Sequence, residues 1–390
     1  MKTPHSDPPN DAALWIGLSL IPGLGIQSFC QLLRTFNNPA GIYATSFSQL
    51  RSVVTEPVAR LIAQGPANEA IAPALQWLEQ SGNQMVTLAD ADYPRALLEI
   101  PDPPPLLYCK GRLSLLNSLS IAVVGSRNAS PQGEKNAEDF SQALSHQGYC
   151  IISGMALGID GAAHRGALKG AGSTIAVVGT GMDIVYPARH RELAHQIAEH
   201  GLLISEFPLG TPSLAQNFPR RNRLISGLAL GCLVVEANLQ SGSLITARLA
   251  AEQGREVFAI PGSIHSPLSK GCHRLIKQGA KLVDNIQDIV YELGGATLAS
   301  SGDITEVVTQ SHPLLDCMGY DPITMDALVQ LSGLTSDNLS AMLMVLVRYG
   351  WALVAANWGN QLTVLEWPMA IQYMGMALGC TLMAVFGAYA

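Results

Sequence analysis

Six short, almost uninterrupted apolar runs between residues 121 and 260 limit the folds open to this 390-residue chain more than any other feature. They lie at 121–124, 150–152, 174–178, 202–204, 233–235 and 257–260, and helical patterns occupy 133–146, 160–169, 191–200 and 244–254. Strands that are buried on both faces of a parallel sheet have such runs. Their alternation with helices indicates repeated βαβ units. We therefore predict an α/β fold with a doubly wound, mostly parallel sheet.

The segments before this sheet have a different character. Residues 12–81 carry apolar positions at helical spacing, so we predict a small helical domain over 1–85 and the sheet domain over 86–293. The turn at 20–25 fits a helix-hairpin-helix whose amides approach a phosphate, and it fits a plain turn between helices equally well. A proline-dense stretch at 90–112 indicates a connector or an edge segment, because proline lacks an amide donor.

Three further segments follow the sheet domain. Residues 294–320 are rich in Gly, Ser, Thr and Ala and are predicted to be a linker. Two helical patterns and a hairpin pattern predict a winged-helix-like domain over 321–367. Its one basic residue is Arg348, so this domain suits a protein contact better than a DNA groove. Residues 368–390 contain no charged residue, and a membrane anchor, an aberrant tail and a packed helix all stay open.

Cysteine usage and charge narrow the class of protein. The seven cysteines are odd in number, scattered and never arranged as CxxC, so we expect neither a disulfide framework nor a zinc knuckle. This pattern, and a first segment without the apolar core of a signal peptide, favour the cytoplasm. The net charge of −7 argues against nucleic acid, yet residues 121–284 carry 15 Lys and Arg against 12 Asp and Glu. The basic excess therefore lies in the sheet domain.

Small, hydroxyl-bearing residues mark the ends of three predicted strands. Ser126 and Arg127 follow the first strand, Ser153 and Gly154 follow the second, and a Ser-Gly-Ser turn at 241–243 follows the fifth. Ligands of doubly wound folds bind beyond the carboxyl ends of the strands, so these turns are expected to converge on one edge. Hydroxyls, free amides of helix N-termini and an arginine fork suit a phosphate group. An ion pair with a nearby acid is the alternative for Arg127.

The densest basic cluster lies at 218–223, where a phenylalanine precedes three arginines. A cationic track beside an aromatic ring suits single-stranded nucleic acid. The structural alternative is a solvated basic loop or helix start. Lys270 and the other basic residues at 262–281 would extend the same track.

No nucleophile or metal site assembles in the sequence. His190, His195 and His200 are spaced by five, which puts them on different sides of a helix. For His164 we expect a structural hydrogen bond. We therefore predict no catalytic residue, no metal and no cofactor.

Taken in order, these motifs resemble one bacterial family, DNA-processing protein A (DprA/Smf). The resemblance covers about residues 90 to 290, through segments at 104–111, 123–130, 153–164, 175–187, 203–206, 218–225, 234–246 and 254–262. It implies an extended Rossmann-like domain that binds single-stranded DNA, dimerises and helps to load a RecA-type recombinase in natural transformation. It also implies an N-terminal sterile-alpha-motif-like domain and a C-terminal winged-helix-like domain. His190, where the family usually has asparagine, and the tail 368–390 depart from the family pattern.

The resemblance also implies roles for individual residues. Carried over motif by motif, the candidates for contact with DNA phosphates are Ser126, Arg127, Ser153, Gly154, Arg221, Asn222, Arg223, Ser241 and Ser243. Arg127 and Arg223 are the foremost of these, and Lys270 is a weaker candidate.

Two functions of different class follow from these observations. The first is a non-enzymatic mediator that binds single-stranded DNA, forms a homodimer and has a RecA-type recombinase as its partner. The second is a nucleotide-binding, phosphoribohydrolase-like enzyme on a related Rossmann-like fold, with Glu236 or Asp160 for its chemistry. The turn at 241–246 lacks the second acid that such an enzyme needs, which favours the mediator. A membrane-tethered mediator would depend on the tail 368–390 alone.

Overall fold

The computed structural model of the chain describes residues 8–294, 325–336 and 338–340. The backbone divides into two compact units, Met1–Ser300 and Ser301–Ala390. The hairpin predicted within 321–367, the tail 368–390 and nearly all of the linker 294–320 lie outside the described residues.

The first part of the larger unit is helical, as its apolar spacing predicts. Within the described residues, six helices precede the first strand: α1 (Pro8–Ser19), α2 (Ile26–Phe36), α3 (Pro39–Ala44), α4 (Phe47–Leu50), α5 (Glu56–Ala63) and α6 (Asn68–Leu78). Local capping explains two of these starts. The Asn38 side chain accepts a hydrogen bond from the Gly41 amide, and Ser46 and Gln49 form a capping box.

A nine-stranded sheet follows. Its strands are β1 (Asn83–Thr87), β2 (Leu106–Gly111), β3 (Ser120–Val124), β4 (Cys150–Ser153), β5 (Thr174–Val177), β6 (Leu202–Ser205), β7 (Gly231–Val234), β8 (Glu256–Ala259) and β9 (Lys281–Leu282). The order across the sheet is β1-β2-β6-β5-β4-β3-β7-β8-β9. β2 pairs antiparallel with β1 and with β6, and the other pairings are parallel.

Helices cover both faces of this sheet. They are α7 (Arg95–Leu98), α8 (Pro131–His146), α9 (Ile159–Ala167), α10 (Arg191–His200), α11 (Asn217–Leu228), α12 (Ser243–Glu252), α13 (Lys270–Lys277) and α14 (Ile286–Glu292). Successive residues of β3 belong to two different buried clusters: Ile121 and Val123 pack with α8, and Ala122 and Val124 with α11 and α12. This alternation confirms the predicted doubly wound, mostly parallel α/β fold.

The six predicted apolar runs coincide with β3 to β8, while three strands lack such a signal. β9 is two residues long and exposed, and β1 is only partly buried. The proline-dense stretch predicted as a connector or edge contains β2, which lies inside the sheet. Its prolines end at Pro105, so every amide of Leu106–Gly111 is available for pairing.

The helical domain and the sheet share a core. Leu106 and Tyr108 of β2 lie in the same buried cluster as Trp15 and Trp77. The rings of Trp77 and Tyr108 meet edge to face, with centroids 5.9 Å apart. The two parts of the larger unit are therefore packed as one body.

The smaller unit is described only in part. Helix α15 (Met325–Ser332) lies near the start of the segment 321–367 that is predicted to be winged-helix-like, and Leu328 and Leu339 are buried. No helix in the described ranges is long and apolar enough to cross a bilayer. The five cysteines in those ranges are free thiols.

Candidate functional site

The strand order reverses at the centre of the sheet and opens a cleft there. From β3 the chain proceeds outward through β4, β5 and β6, and β7, β8 and β9 then extend the sheet on the other side of β3. The helices that follow β3 and β7 pack on opposite faces, which separates the two turns. We call the resulting space the switch-point cleft; its volume is about 610 Å³. Its lining includes Ser126, Arg127, Asn128, Asp160, Phe218, Arg221, Asn222, Asn238, Gln240, Ser241, Ser243 and Thr246.

Arg127 is the exposed cation of the switch-point cleft. Among the residues that the structure describes, no carboxylate forms an ion pair with it, so the alternative of a local salt bridge does not apply. Its guanidinium carbon lies 5.5 Å from the centroid of the Phe218 ring. The neighbouring Ser126 is buried, and its hydroxyl oxygen accepts a hydrogen bond from the Asn128 amide. The Arg127 fork is therefore free to bind an anion.

Arg221 lies beneath Arg127 and is buried. Its Nη1 donates to the backbone oxygen of Gly154, at 2.7 Å, and to that of Val177. Burial lowers the pKa of Arg221 to about 10, the Asp160 carboxylate opposes this shift, and Arg127 adds to it. Arg221 therefore stays cationic near neutral pH and adds positive charge to the floor of the cleft.

Asp160 places a carboxylate beside this floor. Its Oδ2 accepts hydrogen bonds from the amides of Gly154 and Ala156, both at 3.2 Å. Burial raises the pKa of Asp160, and Arg221 and these hydrogen bonds oppose the shift. The carboxylate thereby holds the turn after β4 in place.

The turn after β7 supplies hydroxyls and amides to the opposite wall. The Ser241 and Ser243 hydroxyls lie 2.7 Å apart at the start of α12, and Ser243 is buried. Asn222, on α11, also lines the cleft. Hydroxyls at a helix N-terminus facing an arginine are suited to a phosphate group.

Two of the sequence candidates support the cleft from below. The Ser153 hydroxyl is fully buried and donates to the backbone oxygen of Val123 at 2.6 Å, which ties β4 to β3. The Gly154 amide is taken by Asp160, and a Cβ at Gly154 would lie 2.7 Å from the Arg221 guanidinium. Neither residue is among those that line the cleft.

Arg223 and Lys270 lie elsewhere, in contrast to their sequence assignment to the track. Arg223 is buried between two carboxylates: its Nε is 2.8 Å from Asp102 Oδ2, and its Nη2 is 2.6 Å from Glu206 Oε2. The Lys270 ammonium donates to the backbone oxygen of Ile264. Neither side chain lines the cleft.

Glu236, a candidate catalytic acid of the enzyme hypothesis, makes structural hydrogen bonds through both of its carboxylate oxygens. Its Oε1 accepts the Ser130 hydroxyl at 2.5 Å, and its Oε2 accepts the Ser130 amide at 2.9 Å. Ser130 in turn caps α8 by accepting the Gly133 amide. A Cβ at Gly133 would collide with the Glu236 carboxyl group, so a larger residue there would displace this carboxylate. This carboxylate anchors α8 to the turn after β7.

The buried histidine behaves as predicted. His164 Nδ1 lies 2.7 Å from Thr174 Oγ1, which donates its own proton to the Ile151 oxygen. Burial lowers the pKa of His164 to about 3, and nearby cationic groups reinforce the shift. Across the described ranges, no three His, Cys, Asp or Glu side chains converge as a metal site.

The cleft also has residues that sequence reasoning did not single out. Asn238 and Gln240 line it from the turn after β7, and Tyr186 lies beside it, with its ring centroid 5.6 Å from that of Phe218. The tyrosine-proline pair at 186–187 was available as a signal, since it follows a strand that ends at the same edge.

Fold and site together define a Rossmann-like protein whose switch-point cleft is equipped for a phosphate group. The family model described as DNA recombination-mediator protein A matches residues 84–294, and that of the DprA winged helix domain matches residues 303–346. The chain belongs to this DprA/Smf family. The predicted resemblance and the fold class, with its winged-helix domain, are thereby confirmed.

Individual relatives agree with this assignment. Protein Smf from Escherichia coli (strain K12) is 44% identical over 293 residues, which cover 73% of this chain and 78% of that protein. The X-ray structure of DNA processing protein A from Streptococcus pneumoniae has a TM-score of 0.64 at 40% identity, covering 72% of this chain and 97% of that chain. The Helicobacter pylori DNA processing protein A, solved to study its single-stranded DNA binding mode, has a TM-score of 0.50 at 32% identity, covering 54% and 96%.

Proposed function

We propose that this chain binds single-stranded DNA in the switch-point cleft and acts as a recombination mediator. The observation that carries the proposal is Arg127, an exposed cation without a carboxylate partner among the described residues, stacked on Phe218 at the mouth of the cleft. A guanidinium group can bind the phosphate of a nucleotide, and an adjacent aromatic ring can stack on its base. Family membership supports the same function.

The proposed phosphate contacts fall into two groups. Ser126, Arg127, Asn222, Ser241 and Ser243 are proposed to contact the DNA backbone directly, because they line the cleft. Ser153, Gly154 and Arg221 are proposed to shape and charge its floor. For Arg223 and Lys270 a direct contact stays a prediction from sequence, and the partners of both side chains favour a supporting role.

A binding titration tests the proposal. Fluorescence anisotropy of a labelled single-stranded oligonucleotide, and of its duplex, is measured over a salt series. We expect preference for the single strand and a linear fall of log affinity with log salt. Arg127→Ala should weaken binding about tenfold and reduce the salt slope by about 0.7, the share of one phosphate on a single strand.

Arg60→Ala is the matched control. Arg60 is an exposed arginine of α5 that pairs with Glu56, so the same charge is removed from the helical domain. Its affinity and salt slope should equal those of the wild type. Absence of binding at low salt, or equal affinity for the duplex, would contradict the proposal.

The mediator role needs a recombinase as partner. We propose that the chain loads a RecA-type recombinase onto the strand that it holds, in the cytoplasm, and that it does so without catalysis of its own. The hydrogen bonds that Ser130 donates to both Glu236 oxygens support the last point, because they give this carboxylate a structural role at the start of α8. The rival enzyme would release a base from nucleoside 5′-monophosphates, which chromatography detects.

We further propose a homodimer through the Rossmann-like domain, at the edge that carries β9. This edge strand is short, and its Leu282 side chain is 44% exposed. A cavity of about 780 Å³ between α12 and α13 opens nearby, with Leu239, Leu244 and Leu275 in its walls. Light scattering should give twice the chain mass for the wild type and the single-chain mass for Leu282→Arg.

A further inference from the structure

His190 is a buried histidine immediately before α10, and it does not line the switch-point cleft. Its Nδ1 lies 3.0 Å from the backbone oxygen of Met155, in the turn after β4. A carbonyl oxygen accepts and cannot donate, so Nδ1 carries the hydrogen of this bond. The ring also lies against bare backbone, because a Cβ at Gly161 would be 2.6 Å from His190 Cε1. The imidazole therefore joins the start of α10 to α9 and to the turn after β4.

The turn that His190 contacts has a strained backbone. We call residues 154–158 the β4 turn. Met155 has a φ of +64°, in the left-handed region that residues with a side chain disfavour. Such a conformation persists only where neighbouring groups hold it. From one side the Asp160 carboxylate accepts the amides of Gly154 and Ala156, and from the other side His190 donates to Met155.

The β4 turn supports both arginines of the cleft. The backbone oxygen of Gly154 accepts a hydrogen bond from Arg221 Nη1 at 2.7 Å. Gly158, with a φ of +72°, packs against the backbone oxygens of Ser126 and Arg127, where a Cβ would collide. The amide that follows Gly158 donates to the Ser126 oxygen at 3.2 Å. A shift of the β4 turn would therefore move the backbone that carries Arg127 and the acceptor that orients Arg221.

We propose that His190 is a positioning residue for DNA binding, which holds the β4 turn, and through it the two cleft arginines, by the hydrogen bond from Nδ1 to the Met155 oxygen. The inference rests on the proposed function and adds to it a residue that touches no DNA. What position 190 must supply is a hydrogen-bond donor one bond beyond Cγ. Asparagine has such a donor in its side-chain amide, while leucine has none.

A substitution series separates the donor from the bulk of the ring. His190→Leu should weaken affinity for a single-stranded oligonucleotide about fivefold, the equivalent of one lost hydrogen bond. His190→Asn should restore wild-type affinity, because its amide nitrogen takes the place of Nδ1. His190→Gln carries its amide one bond further, at the place of Nε2, and should bind as weakly as His190→Leu. Circular dichroism establishes that each variant is folded at the temperature of the titration.

A double-mutant cycle tests whether His190 acts through the cleft. If His190 positions Arg127, its loss matters little once Arg127 is gone. His190→Leu combined with Arg127→Ala should therefore bind within about twofold of Arg127→Ala alone, because the two losses are coupled. His195→Leu is the matched control, since it removes an exposed histidine of the same helix. It should leave affinity unchanged and combine additively with Arg127→Ala.

Nuclear magnetic resonance tests the hydrogen bond without DNA. Long-range ¹H–¹⁵N spectra of the wild-type chain, labelled at histidine, show which ring nitrogen carries the hydrogen. The His190 signals are those that disappear in His190→Asn. We expect the hydrogen on Nδ1.

Four outcomes would overturn the positioning role: wild-type affinity of His190→Leu, rescue by glutamine but not by asparagine, additive losses in the double variant, or a hydrogen confined to Nε2. Failure of the wild type to bind any single strand would instead overturn the proposed function, and the spectra would still report on the hydrogen bond.

Discussion

At the scale of single residues, two arginines of one basic cluster illustrate what sequence can and cannot specify. Arg221 and Arg223 are two residues apart on α11, yet Arg221 contacts the strand ends under the cleft and Arg223 pairs with Asp102 and Glu206. Spacing along a helix separates these directions. The acids that capture Arg223 come from distant segments, which periodicity does not reveal. Motif order alone therefore did not predict the ion pairs of Arg223, and its contact with DNA stays a prediction.

The ion pair of Arg223 is expected to stabilise the fold rather than to bind DNA. Arg223→Met should lower the free energy of unfolding by about 3 kcal/mol, because Glu206 stays buried beside a weaker partner, Arg220. Urea denaturation measures this loss, and adding Glu206→Gln should recover part of it. The salt slope of DNA binding should not change. A reduced slope with unchanged stability would show that Arg223 contacts phosphate after all.

His164 should make the protein sensitive to acid. Its pKa is about 3 in the folded chain and near 6.5 when unfolded, so the unfolded state binds one more proton between these values. Its contribution to stability is therefore present above pH 6.5 and is lost as the pH falls, by about 1.4 kcal/mol per pH unit. Urea midpoints from pH 4.5 to 6.5 should be less pH-dependent in His164→Leu than in the wild type. His195→Leu, at an exposed site, is the control; equal slopes in all three proteins would refute the assignment.

At the scale of secondary structure elements, the apolar runs predicted most of the sheet. β3 to β7 and the last two residues of β8 are buried, and this leaves a continuous apolar signal in the sequence. β1 and β9 expose part or all of their residues, so they lack it. The convergence of three turns at the cleft followed from strand direction, whereas Tyr186 was missed because stacking depends on distances between turns.

The hydrogen bonds between Glu236 and Ser130 hold the start of α8 against the turn after β7. Glu236→Gln replaces one accepting oxygen by an amide, which should cost about 1–3 kcal/mol of unfolding free energy. Affinity for single-stranded DNA should stay within about twofold of the wild type, because no residue lining the cleft changes. Ser130→Ala removes the hydroxyl that donates to Glu236, and it should have the same effects on stability and on DNA affinity. If Glu236→Gln kept normal stability but lost its affinity for single-stranded DNA, Glu236 would have a functional role instead.

At the scale of the whole molecule, the helical domain and the sheet should unfold together. Trp77 is buried against Tyr108 of β2, so Trp77→Ala opens a cavity in a core that both parts share. We expect a loss of about 3–5 kcal/mol. Hydrogen exchange followed by mass spectrometry should show faster exchange in α1 and α6 and equally in β3 and β4. Faster exchange confined to the helices would mean that the two parts are energetically separate.

The origin of the switch-point cleft in strand order has a genetic consequence. Because backbone topology forms the cleft, replacing Arg127 should remove a proposed contact with DNA while other surfaces stay as they are. Such alleles separate DNA binding from assembly. In a cell that expresses a variant beside the normal chain, the proposed homodimer would include mixed dimers. The decline of recombination with increasing amounts of the variant would then show whether one dimer needs one DNA site or two.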